Sequence, residues 1–271
     1  MTESPGARWR DALGEWAIPA TIIEAAPESP WSHPPELFRW QPEEDRARQI
    51  RPSRQRALEV LPDGGSVIDV GVGGGASSLG LVPRAGRIIG VDESETMLLA
   101  FAESARAAGV ASETVHGRWP DVAGEVGPAD VVVCHHVFYN VGDLEPFASA
   151  LTDHARHRVV VELSQFHPQS PLNPLWKALH DIDRPTRPTA DDAMAVLSAM
   201  GLEVQREEVE VAARWREVTP EVVAFGRRRL CLAPDRDAEV AMLLEEHGGR
   251  PQRVVTLWWP GTAGGAYPEG V

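Results

Sequence analysis

One stretch of the chain holds the residues whose types and spacing most readily do chemistry: Val67-Ile68-Asp69-Val70-Gly71-Val72-Gly73-Gly74-Gly75. A short apolar run enters a loop with glycine at alternate positions, and a helix start follows. Glycine admits positive φ and lets the backbone approach a ligand with no Cβ in the way. In an open α/β sheet, such a loop over the carboxyl end of the first strand is where nucleotides bind. Asp92 closes the next apolar run, 21 residues after Gly71. A carboxylate there can accept hydrogen bonds from both hydroxyls of a ribose. Either element alone reads as a tight turn or a solvated strand end. Together, in strand–loop–helix–strand order, they predict an adenosine-containing ligand.

Two ligand classes fit. Gly71-x-Gly73-x-x-Ala76 satisfies the relaxed dinucleotide fingerprint, which keeps an NAD(P)-dependent oxidoreductase as an alternative. That chemistry calls for a hydride-transfer residue such as a Tyr-x-x-x-Lys pair. Tyr139 and Tyr267 are the only tyrosines and Lys177 the only lysine, so no such pair exists. Asp69, two residues before the first glycine, sets a carboxylate beside the loop. It is a poor neighbour for a pyrophosphate and a good one for an ammonium or sulfonium charge. At this point the residues resemble the class I S-adenosylmethionine-dependent methyltransferase family, whose first motif is an acidic residue, one spacer, then Gly-x-Gly-x-Gly. Asp69, Gly71, Gly73 and Gly75 match it position for position, and Asp92 matches the family's acidic ribose ligand. Ala129-Asp130-Val131-Val132-Val133-Cys134 fits the start of the family's fourth strand. The likeness is specific over 66–98, fair to about 165 and architectural beyond.

The resemblance implies S-adenosyl-L-methionine as cofactor and methyl transfer to a small organic molecule, with oxygen the favoured acceptor atom by analogy. A non-catalytic S-adenosylmethionine-binding protein stands as a further alternative. Cofactor contacts are expected from Asp69, Gly71, Gly73, Gly75 and Asp92. The adenine loop, Gly117-Arg118-Trp119-Pro120-Asp121, offers either Trp119 as a stacking ring or Asp121 as the acidic group. His135 is expected to reach the cofactor through its backbone. No Asn/Asp-Pro-Pro-aromatic motif follows the fourth strand, which counts against methylation of DNA adenine or a glutamine side chain. Methyl transfer rests mainly on positioning, with a base where the acceptor must lose a proton. Residues after strands four and five are the candidates: His135, His136, Tyr139, Asn140, Gln165 and His167. His136 is the preferred general base, since imidazole titrates near neutral pH. The commoner role of a strand-end histidine is packing. His154 and His157, i and i+3 on one helix, read as a surface pair; no metal is expected.

The elements that must position these groups follow from the pattern. SVIDV, RIIGVD, ETVHG, ADVVVCHHV and RVVVELSQF read as strands, with helices such as ETMLLAFAESARAAG and DLEPFASALTDHAR between them. Continuous apolar strands alternating with helices predict a parallel sheet covered on both faces, the doubly wound α/β class. ADDAMAVLSAMG reads as a helix capped by Thr189 and stopped at Gly201. LEVQREEVEVA alternates like a half-exposed strand, and RVVTLWWPG is a last strand, antiparallel if the resemblance holds. Residues 1–60 form an N-terminal helical extension ahead of a methyltransferase-like α/β domain over 61–271. Trp9, Trp16, Trp31, Phe38 and Trp40 lie among the extension's prolines, either as an aromatic cover for the acceptor or as anchors to the core.

Charge narrows the partners. Twenty-six basic against forty acidic residues leave −14, which repels nucleic acid and anionic lipid, so a small-molecule acceptor is expected. Arg227-Arg228-Arg229 reads as the solvated face of an amphipathic helix. No apolar run reaches the ~18 residues of a membrane span. The polar first residues lack a secretory signal. Two cysteines, Cys134 and Cys231, support no disulfide framework. These features predict a cytoplasmic protein.

Overall fold

The computed structural model describes residues 3–31, 51–212, 217–247 and 251–264. Phe38, Trp40 and Tyr267 lie outside the described residues. Strands β1 (Gly65–Val70), β2 (Ala85–Asp92), β3 (Ala111–His116), β4 (Ala129–His135), β5 (Ala155–Ser164), β6 (Gln205–Val211) and β7 (Gln252–Pro260) form one sheet. Its order is β3-β2-β1-β4-β5-β7-β6. The helices are α1 (Pro5–Gly14), α2 (Ala20–Ala25), α3 (Pro52–Leu58), α4 (Glu95–Ala108), α5 (Leu144–His154), α6 (Asn173–His180), α7 (Ala190–Ala199), α8 (Pro220–Arg229) and α9 (Asp237–His247).

The apolar strands pair in parallel, with Val67 facing Ile88 on β2 and Val131 on β4, and Val132 facing Val159 on β5. Only β7 reverses; it runs antiparallel to both β5 and β6, as expected for the final strand. Side chains alternate between faces. Ile68, Val132, Cys134, Val159 and Val161 build one core with α1, α5 and α7. Val67, Val131, Val133 and Val160 build the other with α3 and α4. Trp258 and Trp259 divide accordingly. Trp259 is fully buried and donates from Nε1 to Thr152 Oγ1 at 2.8 Å, while Trp258 packs on the opposite core beneath the Arg56 guanidinium.

The helix signals operate locally. Ser94 caps α4 by accepting from the Met97 N–H, and Gly109 ends it in the left-handed conformation. The Asp192 carboxylate accepts from the Thr189 N–H at 2.8 Å, opening α7. Helices α2 and α6 carry no comparable sequence signal. The second, NPLWKALH, is set between Pro171, Pro185 and Pro188, and its N-terminal Pro174 is tolerated only because the first turn needs no N–H donor.

A third, smaller apolar cluster joins α6, α8 and α9 with Ile18, which precedes α2. Because β6 runs with the parallel strands, the segment after β5 and the connection from β6 to β7 both leave the sheet at its carboxyl edge. The cluster therefore gathers three separate parts of the chain beside that edge. It also corrects the reading of the arginine run. Arg227 and Arg229 are buried rather than solvated. Arg227 pairs with Glu28 at 3.0 Å and lies 2.8 Å from Asp237, while Arg229 sits over the rings of Trp31 and Phe225. Glu28 and Trp31, downstream of α2, are among the groups these cations contact.

Among the described tryptophans of the extension, Trp9 and Trp16 are anchors in the core. Trp9 is fully buried, donates to the Val141 carbonyl at 2.8 Å and stacks on Tyr139 with ring centroids 5.6 Å apart. Truncating a buried indole leaves a large cavity and an unpaired carbonyl, so Trp9→Ala is expected to cost about 3–5 kcal/mol. Chemical denaturation of the variant against the parent protein measures it.

Candidate functional site

The strand order turns back between β1 and β4, the place where open α/β sheets form a ligand crevice. The glycine loop lies there, and its glycines are required for different reasons. Gly71, at φ +74°, donates to the Val91 carbonyl at 2.8 Å; a Cβ on it would stand 2.3 Å from Val137. Gly75, at φ +91°, is closed in by Leu79 and Phe101. Gly73, at φ +50°, has nothing within 4 Å of where its Cβ would stand. Two glycines thus let the loop pack against the protein, and the third opens bare backbone outward.

Asp92 binds this loop directly. One carboxylate oxygen accepts from the Gly73 N–H and the other from the Ser94 N–H, each at 2.9 Å. Each oxygen keeps a further lone pair for a ligand hydroxyl. Asp69 lies beneath the loop, fully buried, and one of its oxygens accepts from Ser78 Oγ at 2.6 Å. The other has no hydrogen-bond partner among the described residues. Burial pushes the Asp69 carboxyl up to about 7; the Ser78 bond opposes this and the Asp92 charge adds to it. The expected acidic group beside the loop therefore lies buried under it, its acidity weakened by that burial.

In the adenine loop, Trp119 is 4% exposed, packed with Ala123 and Val126 and edge-on to His154. Its ring belongs to the core and presents no open face for a base to stack on, a correction to that alternative. Asp121 is exposed. His154 departs from the surface-pair expectation, since its two ring nitrogens lie 2.7 and 3.0 Å from the Ala150 and Ala123 carbonyls. His157 stands 3.8 Å from Asp130.

The acceptor-side candidates separate sharply. The Tyr139 hydroxyl is buried, donates to the Ser164 carbonyl at 2.8 Å, and is pushed up by burial and the nearby Asp192 and Asp191 charges. Gln165 is held between Arg206 and Asp191. His167 lies face to face with Trp16, ring centroids 3.8 Å apart, and burial, aided by the Arg184 charge, lowers it to about 3. It stays neutral and enclosed. Asn140 is exposed, and His135 is half-buried at the end of β4. His136 differs from all of these. It adopts φ +59°, rare for a residue with a Cβ, and its side chain is 51% exposed.

One cluster escaped the sequence reading. Glu162 on β5 is 5% exposed, yet it stands among ionic and polar partners. Ser53 Oγ donates to it at 2.5 Å, Arg51 Nη1 at 3.1 Å, and His136 Nε2 lies 3.3 Å away. The signal was a glutamate interrupting the apolar run Val159-Val160-Val161. A charge on a buried strand is rare unless it is paired. No group of three or more potential metal ligands occurs among the described residues, and no helix of theirs is long and apolar enough to cross a membrane.

Residues 67–158 match a family model described as a methyltransferase domain. No curated protein matches the chain in sequence. Among solved structures, the YcgJ protein of Bacillus subtilis is similar at a TM-score of 0.54 and 14% identity, over 77% of this chain and 97% of that one. A candidate sarcosine dimethylglycine methyltransferase from Galdieria sulphuraria is similar at a TM-score of 0.54 and 14% identity, over 92% of this chain and 98% of that one.

Two outcomes follow from this geometry. Gly75→Ala drives a methyl into Leu79 and Phe101, whereas Gly73→Ala meets open space and costs only the roughly 1–2 kcal/mol of the left-handed backbone. Denaturation should rank Gly75→Ala clearly below Gly73→Ala in stability. For Asp69, the folded value of about 7 exceeds the unfolded value of about 3.9, so its contribution is complete below pH ~4 and lost as pH rises through 7. Asp69→Asn should therefore gain in thermal midpoint over the parent protein between pH 5 and pH 8.

Proposed function

We infer, from the match of residues 67–158 to a methyltransferase-domain model and from the glycine loop with Asp92, that the protein is a class I S-adenosylmethionine-dependent methyltransferase acting on a small organic acceptor, on oxygen by preference. The observation that carries the reading is the open backbone at Gly73 held against Asp92 at the carboxyl edge of β1 and β2. The residues fit the cofactor. Asp92 has lone pairs for a ribose, Gly73 admits close approach, and Asp69 keeps an unpartnered oxygen that a cationic neighbour would favour ionising. When bound, S-adenosylmethionine supplies an electrophilic methyl group on a sulfonium.

The chain's own part is to hold the acceptor above β4 and β5 and to take its proton. Among the residues following those strands, Tyr139, Gln165 and His167 are committed to internal contacts, which supports His136 as the base. An oxygen acceptor gains most from such a base, because a neutral hydroxyl is a weak nucleophile. The part of the N-terminal extension around Ile18, Ile22 and Ala26, with the helices that share the third cluster, is read as the cover of the acceptor cleft. The net charge of −14 favours a small acceptor over nucleic acid.

Calorimetric titration with S-adenosylmethionine, S-adenosylhomocysteine and NAD tests the cofactor assignment. Binding of the first two without the third is expected, and binding of NAD alone overturns it. Asp92→Ala should weaken S-adenosylhomocysteine at least about tenfold, the loss of one or two charge-assisted hydrogen bonds. Unchanged affinity removes the ribose role.

A further inference from the structure

We propose that Glu162 is a positioning residue for His136, fixing its ring as the Nε2–H tautomer so that Nδ1 is the nitrogen that accepts the acceptor's proton. The proposal rests on the reading of His136 as the base. It comes from a place where a buried carboxylate meets a solvent-facing imidazole.

The backbone sets the contact. His136 follows β4 directly, and its N–H donates to the Glu162 carbonyl at 2.7 Å, which continues the β4–β5 pairing by one residue. The left-handed turn at His136 then brings the ring back over the same residue, with Nε2 3.3 Å from Glu162 Oε1. Two contacts to one partner, one through the main chain and one through the ring, leave the side chain little freedom. An imidazole nitrogen facing an ionised carboxylate carries the proton, because a carboxylate only accepts. The other nitrogen is then the lone pair, on a side chain that is half exposed. This is the logic by which a buried acid orients a catalytic histidine without itself exchanging a proton.

Glu162 is equipped for the part. Arg51 and Ser53 of the α3 entry donate to its two oxygens, one each. His135 stands opposite it on β4, and Thr256 opposite it on β7. Burial alone would raise the carboxyl, but the contact with His136 and the positive charge of Arg51 are among the effects that outweigh it, and the carboxyl is lowered. Ser53 and Arg51 also fix the carboxylate in place, so the ring is aimed by a group that cannot swing away. Arg51 and Ser53 satisfy Glu162 as a simple anchor of α3 would; a role confined to anchoring would not select a tautomer at His136.

The test needs no acceptor. Long-range proton–nitrogen NMR on protein labelled with [15N]histidine reports the tautomer of each ring, and His136→Gln identifies the relevant signal by its disappearance. The expected parent spectrum has His136 in the Nε2–H form by about tenfold or more, the weight of one hydrogen bond to a charged acceptor. Glu162→Gln should bring the two tautomers within about threefold of each other. Ser53→Ala loosens α3 but leaves the Nε2 contact, and should not change the ratio. An Nδ1–H signal for His136 in the parent protein overturns the proposal, with no variant required. So does a ratio unmoved in a folded Glu162→Gln protein. Methyl transfer by His136→Gln across an acceptor panel judges the base separately: full activity there would sink the base while leaving the tautomer result standing.

Discussion

Strands β1, β2, β4 and β5 have cores on both faces, and this double burial governs where anything polar can go. A charge along the middle of such a strand would lose its water with nothing to replace it. Polar groups therefore concentrate where the strands run out, and they come with partners. Asp92 ends β2 against two backbone N–H groups, Glu162 nears the end of β5 under an arginine and a serine, and His136 begins where β4 ends. The parallel register brings these ends to one edge. The glycine loop supplies backbone there because Gly71 and Gly75 let it fold down onto Val137, Leu79 and Phe101.

The two buried carboxyls show how surroundings divide one functional group into opposite behaviours. Asp69 has a single hydroxyl donor, a bare second oxygen and the Asp92 carboxylate nearby, so burial wins and the group moves up to about 7. Glu162 is almost as deep, but burial loses to the His136 ring and the Arg51 charge beside it, and it moves down. Depth sets the penalty in both cases; the groups beside the carboxyl, an acid for Asp69 and an arginine and imidazole for Glu162, decide the sign. The carboxyl under the glycine loop is thus weakened as an acid, and the one at the end of β5 is strengthened.

The sequence made the sheet and the cofactor loop legible because both obey short-range rules. Apolar runs separated by helical periods specify the parallel strands, and the spacing of Asp69, Gly71, Gly73, Gly75 and Asp92 is a local pattern. It failed wherever a partner came from far along the chain. Arg227 and Arg229 read as solvated because Glu28 and Trp31, which enclose them, lie some two hundred residues earlier. Trp119 stayed open as one of two readings of its loop because nothing local shows that His154 packs against it. The Glu162 cluster needs Arg51, Ser53 and His136 together, from three separate segments. Helix α6 was hidden by its prolines, which mark its boundaries as easily as they would mark a loop.

The third apolar cluster bears on how specificity is built. Ile18 before α2, Leu175 and Trp176 of α6, and Val223 and Val240 of α8 and α9 are contributed by segments that each lack a core of their own. None of these segments is long enough to bury much alone, so they are stable only in combination, clasped by Arg227 to Glu28 and Asp237. The sheet beneath is specified by its own two cores and does not need them. That separation lets the residues of the third cluster change while the glycine loop, Asp92 and the β4–β5 register stay fixed. On the function proposed above, the choice of acceptor falls to the combined helices and the chemistry to the strand ends they adjoin.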